Sequence, residues 1–117
     1  MKILICDSLE KDVIDIFSKI GEVTNISDDE NKEDQISKNI LDAEVVVIRS
    51  ATTITKELIN SAKQLKVIAR CGVGVDNIDL DYCKKLNIRV FIAEHANKIT
   101  VAEHIFFMLL ILSLIHI

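Results

Sequence analysis

The chain has 117 residues, 50% of them apolar and 27% charged, with a net charge of −4. That is enough for one globular domain, and its acidity argues against nucleic acid or an anionic membrane as a partner. The three cysteines (Cys6, Cys71, Cys83) form no CxxC pair and no even-numbered framework. They are expected to be reduced thiols in a cytoplasmic protein.

Strand and helix patterns alternate along the chain. MKILICDS lacks the long apolar stretch of a signal peptide, and its apolar, β-branched run Lys2–Cys6 is a strand candidate. Leu9, Val13, Ile16, Phe17 and Ile20 follow at helical spacing, up to a stop at Gly21. EVTNI is a weaker second strand, and SDDENKED is a solvated loop and helix start whose acidic spacing matches no calcium loop. DQISKNIL is a short amphipathic helix. EVVVIRS is continuously β-branched, as a strand buried on both faces of a parallel sheet requires.

TKELINSAKQL is a third helix, capped by Thr53 or Thr55. KVIARC is a fourth strand, DLDYCKKLN a helix with Asp79 as N-cap, and RVFIAE a fifth strand. A last helix is expected to open near Thr100. From Ile105 to Ile117 only Ser113 and His116 are polar, a run shorter than the roughly 18 residues of a membrane span. A helix apolar all round must be covered on every side, so it is expected to pack against a second domain or subunit.

Five strands alternating with helices give an α/β, doubly wound, parallel sheet. Ligands then bind at the C-terminal ends of the strands, the edge to which Asp7, Ser50, the Gly72–Asn77 loop and Glu94 are assigned. The stretch ARCGVGVDN carries Gly72-x-Gly74 at a strand-to-helix junction, with Glu94 about twenty residues on. A dinucleotide loop needs a third glycine, and Asn77 stands there. A backbone nest for a carboxylate or phosphate and a plain turn stay open beside it. Arg49 and Arg70 end neighbouring strands. They form either a positive patch for an anion or local pairs with carboxylates such as Asp76 or Glu94. Asp7 is placed like the phospho-acceptor pocket of a receiver domain, but that reading fails because the third strand ends in Arg49-Ser50. His95, His104 and His116 form no metal-binding spacing.

The motifs IRSAT, ARCGVGVDNID and TVAEH, in order across Val45–His104, resemble the N-terminal substrate domain of the D-isomer-specific 2-hydroxyacid dehydrogenases. The likeness is strongest to the branch that oxidises 3-phospho-D-glycerate in serine biosynthesis; a glycerate/hydroxypyruvate-reductase-like member is the alternative within the family. The resemblance implies a flavodoxin-like substrate domain, followed by a Rossmann domain for NAD, in a cytoplasmic homo-oligomer acting on a small, phosphorylated 2-hydroxy acid. It implies that the backbone at Val73 and Gly74 holds the substrate carboxylate, with Val73 also near the nicotinamide. Arg49 and Ser50 would line the cleft, Arg70 would face the phosphate, and Asn97 would contact substrate. Ile92-Ala93-Glu94 departs from the family's Asn-Ala-Pro, and His95 and Lys98 replace smaller or neutral residues.

The family's catalytic arginine, histidine and glutamate are expected beyond residue 117. The implied division is 1–98 for the substrate domain and 99–111 for the start of a crossing helix. The hexapeptide LSLIHI at 112–117 matches one reading frame of a sequencing adapter and is expected to be a non-native tail. A stand-alone anion-binding regulatory module is the reading from another functional class.

Overall fold

The computed structural model describes residues 1–72, 74, 76–93 and 103. Its sheet is built from β1 (Lys2–Ile5), β2 (Glu22–Asn25), β3 (Val45–Ile48), β4 (Val67–Cys71) and β5 (Arg89–Ala93), all parallel, in the order β2-β1-β3-β4-β5. The helices are α1 (Lys11–Ser18), α2 (Lys32–Asn39), α3 (Lys56–Ser61) and α4 (Leu80–Lys85). The expected doubly wound fold is therefore present. Its strand order reverses between β1 and β3, and such a switch point opens a crevice at the strand C-termini.

Pleating divides the core into two layers. Leu4, Val46, Ile48 and Ile68 face α2, α3 and α4 through Ile36, Ile40, Ile59 and Cys83. Ile3, Ile5, Val45, Val47 and Val67 face the opposite way, with Val13 and Phe17 of α1 against them. Every residue of β3 and β4 is buried, which is what their unbroken apolar runs require. Arg70 is the exception in chemistry: a charged residue inside β4, only 6% exposed.

Two helix ends match their sequence signals. Thr55 caps α3 by accepting from the Leu58 N–H at 3.3 Å, and Asp79 caps α4 by accepting from the Tyr82 N–H at 3.1 Å. At the far end of α4, Asn87 takes φ 60°. Its N–H donates to the Lys84 carbonyl, and the Ile88 N–H donates to that of Cys83. This paired closure is a Schellman motif, with asparagine in the left-handed position and Ile88 packing back with Cys83.

Helix α3 is shorter than its pattern, which runs to Leu65. Ala62 leaves helical geometry at ψ 76°. The turn that follows buries Leu65 and lets the Lys66 N–H reach the Glu44 carbonyl at 2.9 Å, so that Val67 enters the sheet opposite Val45. The sheet register overrides helical periodicity. Helix α2 starts two residues earlier than expected, at Lys32, whose side chain is used at the strand edge. Glu103 is helical, while the start of the last helix and the 112–117 tail lie outside the described residues.

Replacing Asp79 with Ala removes the α4 cap and is expected to cost about 1 kcal/mol. Urea denaturation of the 117-residue chain measures it, and an unchanged midpoint would show that the cap contributes nothing.

Candidate active-site edge

The candidate site is built by the loops that leave β1, β3 and β4. The loop from Arg49 to Thr55 lies between the other two and is gripped from both sides. On one side Asp7, 2% exposed at the end of β1, accepts the Arg49 N–H at 2.6 Å and the Thr52 N–H at 3.1 Å. It also accepts the Thr52 hydroxyl and the Lys32 ammonium, each at 2.5 Å. On the other side the Asn77 amide donates to the carbonyls of Arg49 and Thr52, both at 2.6 Å. The Asn77 Oδ1 accepts from Arg70 Nε at 2.8 Å, and its main-chain carbonyl accepts the Ile54 N–H at 2.8 Å. A parallel bridge between Ile54 and Ile78 continues the seam. Arg49 and Thr52 are therefore each held on both sides, through the N–H of the peptide unit before the residue and the C=O of the unit after it.

This arrangement explains the missing third glycine. In a dinucleotide loop that position lets the helix come close while pyrophosphate sits at its N-terminus. Here Asn77 joins two loops, and the following helix already spends a first-turn N–H on the Asp79 carboxylate. The described residues therefore do not fit a pyrophosphate. Gly72 and Gly74 serve other ends. Gly72 (φ +151°) has no Cβ where one would stand 2.8 Å from Arg70 Nη1, so it makes room for the guanidinium. Gly74 (φ +85°) is exposed, and among the described residues no atom beyond its chain neighbours lies within 4 Å of where a Cβ would be. Its conformation is one that side chains rarely adopt and glycine takes freely.

Arg49 and Arg70 do end adjacent strands, but only Arg49 reaches the surface. Arg70 turns inward over Gly72 to Asn77, so the two do not form a shared surface patch. Neither pairs with Asp76; among the described residues the ion pairs are Lys2–Asp42, Lys32–Asp7 and Lys66–Glu44. Ser50 is exposed beside Arg49. Val73, Asn97, Glu94, His95, Lys98, His104 and His116 lie outside the described residues. Among those described, no cluster of His, Cys, Asp or Glu could hold a metal ion, and no helix is long and apolar enough to cross a membrane.

Burial alone would push the Asp7 carboxyl up. The hydrogen bond from Lys32, then those from Thr52 and the Arg49 N–H, overcome it and hold the group below its ordinary value. All three cysteines are free and buried. Burial, with the Asp7 carboxylate adding to it, pushes the Cys6 thiol up to about 12. Burial likewise raises Cys71, against an opposing pull from Arg49 and Arg70. These thiols are protonated and poorly nucleophilic near neutrality.

The signals for Asp7 and Asn77 were visible in the sequence but pointed elsewhere. Asp7 invited comparison with a phospho-acceptor pocket, and Asn77 read as a failed glycine. The clue to their use is the polar run SATT of the loop between them, which must satisfy its peptide groups close to a buried sheet.

The fold and this edge accord with a match to the model of the D-isomer specific 2-hydroxyacid dehydrogenase catalytic domain over residues 3–107. The chain belongs to that family. It is 45% identical over 103 residues to a D-3-phosphoglycerate dehydrogenase of Methanocaldococcus jannaschii, covering 88% of this chain and 19% of the relative. It is 35% identical over 97 residues to a hydroxypyruvate reductase of Thermotoga maritima, covering 83% of this chain and 31% of the relative. Among solved structures, NAD+-bound 3-phosphoglycerate dehydrogenase of Entamoeba histolytica superposes with a TM-score of 0.68 at 33% identity. That match covers 80% of this chain and 32% of the other. The chain thus spans about a fifth of the length of the D-3-phosphoglycerate dehydrogenases of Methanocaldococcus jannaschii, Archaeoglobus fulgidus and Synechocystis, and about a third of the Entamoeba histolytica structure.

The lowered Asp7 value sets a pH dependence. Asp7 contributes its stability in full above the carboxyl's unfolded value and loses it as pH falls through the folded one. The stability gap between the wild-type chain and Asp7→Asn, read by urea denaturation, is therefore expected to be largest near neutrality and to shrink in acid. A gap independent of pH would contradict the charged role of Asp7.

Proposed function

We propose that the chain is the substrate-binding domain of an NAD-dependent oxidoreductase that converts 3-phospho-D-glycerate to 3-phosphohydroxypyruvate, in a cytoplasmic enzyme of serine biosynthesis. The observation that carries the reading is the edge itself. An exposed Arg49 and Ser50 are held beside a glycine loop whose exposed Gly74 has a positive φ and, among the described residues, no atom crowding the place of a Cβ. The similarity to several D-3-phosphoglycerate dehydrogenases supports that substrate over others in the family.

In this reading the chain binds and orients. Backbone N–H groups at Val73 and Gly74 take the substrate carboxylate, an anion-binding use of a glycine nest. Arg49, a planar and permanent cation, takes the phosphate end, where its fork suits a phosphoryl oxygen pair. Ser50 and Asn97 contribute polar contacts. Arg70, being buried, supports the loop pair from within instead of meeting solvent. Residues 1–98 form the domain, and 99–111 open a helix toward a second, Rossmann-type domain.

NAD accepts the hydride in the proposed reaction. Because the described residues do not fit its pyrophosphate, the cofactor site and the general acid–base histidine are assigned to that second domain. General acid–base catalysis needs a group within hydrogen-bond reach of the reacting oxygen, and the described part of the edge offers no histidine. The full-length enzyme is proposed to be a homo-oligomer.

Two outcomes are expected. The 117-residue chain mixed with NAD and 3-phospho-D-glycerate shows no turnover; measurable NADH formation would overturn the division of labour. In the full-length enzyme, Gly74→Val raises the KM for substrate by about tenfold or more while leaving the KM for NAD nearly unchanged. The reverse pattern would return the loop to a cofactor role. Comparing 3-phospho-D-glycerate with glycerate in the same assay separates the two substrate readings.

A further inference from the structure

We infer that Asp7 and Asn77 are positioning residues for this reaction: together they set the angle at which Arg49 and Ser50 meet the substrate. The inference rests on the functional reading above. Its support is the grip on the peptide groups at both sides of two residues. A loop at the surface can satisfy its N–H and C=O groups with water. Here a nearly buried carboxylate takes both N–H groups of Arg49 and Thr52, and one side-chain amide takes both of their carbonyls. The N–H lies in the peptide unit before each residue and the carbonyl in the unit after it. Holding both restrains the two planes that flank the Cα, and with them the direction in which its side chain leaves.

Only Ser50 and Ala51 lie between the two held residues, and both are exposed. The grip therefore ends where the proposed contacts begin. It also reaches across to β4, because the Asn77 Oδ1 holds the Arg70 Nε. The carboxylate-side loop (Gly72 to Asn77) and the phosphate-side loop (Arg49 to Thr55) are thus joined by one side chain. Asn77 sets the distance between the two anion sites and hence the length of substrate that spans them. A misplacement of about 1 Å at such a constellation can cost on the order of a hundredfold in rate.

The test uses the full-length enzyme and two variants. Asn77→Asp keeps the size and the acceptor toward Arg70 but turns the donor into an oxygen facing two carbonyls. It is expected to raise the KM for 3-phospho-D-glycerate by about tenfold or more, with the KM for NAD changed by less than about twofold. Thr52→Val is isosteric and removes only the hydroxyl bond to Asp7. It is expected to raise the same KM by about threefold, and it decides the question alone if Asn77→Asp does not fold. Thermal midpoints are read in parallel. A lowered midpoint with unchanged substrate KM in the folded variants marks Asn77 and Thr52 as structural and overturns the inference. A wild-type enzyme that turns over no 2-hydroxy acid overturns the functional reading and this inference with it.

Discussion

The peptide groups of one loop set the terms for the rest of this edge. The chain leaves β3, a strand buried on both faces, at the point where the sheet order reverses. There the backbone must emerge from an apolar layer without leaving its N–H and C=O groups unpaired. Each orphaned group costs about 1–3 kcal/mol, comparable to a large part of a domain's net stability. Asp7 and Asn77 meet that need with two side chains from the loops that leave the flanking strands β1 and β4. A charged acceptor is the stronger choice on the N–H side, and Lys32 offsets the cost of burying it. A neutral amide suits the other side because it must both donate to carbonyls and accept from Arg70.

From this follows the use of each neighbouring residue. Helix α2 begins at Lys32 and so places an ammonium within reach of Asp7. Gly72 lacks a Cβ and so lets Arg70 fold inward. Arg70, occupied with Asn77, is withdrawn from the surface, which leaves Arg49 as the exposed arginine of the two. The two arginines look equivalent in sequence, each ending a buried strand. Their difference comes from a glycine two residues past one of them and an asparagine seven residues past it.

Much of the fold was legible because its signals are local. The β-branched runs of β3 and β4, the caps at Thr55 and Asp79 and the amphipathic face of α1 each follow from neighbours in sequence. The end of α3 was not, because sheet register decides it: Leu65 keeps helical spacing but is taken for the core by the approach to β4. The site was half legible. The glycine loop and Arg49 could be placed by chain position. The roles of Asp7 and Asn77 depend on partners 42 to 45 and 25 to 28 residues away, and no pattern within a window can join them. Arg70 stays open in the sequence between a surface patch and a local pair for the same reason, since its partner is fixed by how two loops meet.

The edge also separates what holds the loop from what the loop presents. The clamp contacts only backbone atoms of the β3 loop, apart from the Thr52 hydroxyl. Side chains at Arg49 to Ala51 are therefore free to differ without disturbing what holds them. Specificity set by the loop's outward side chains is separable from placement set by its peptide groups. Placement works only if the frame moves less than the tolerance of the reaction, and a backbone gripped on both polar faces meets that condition better than one held by apolar packing, which fixes distance but not rotation.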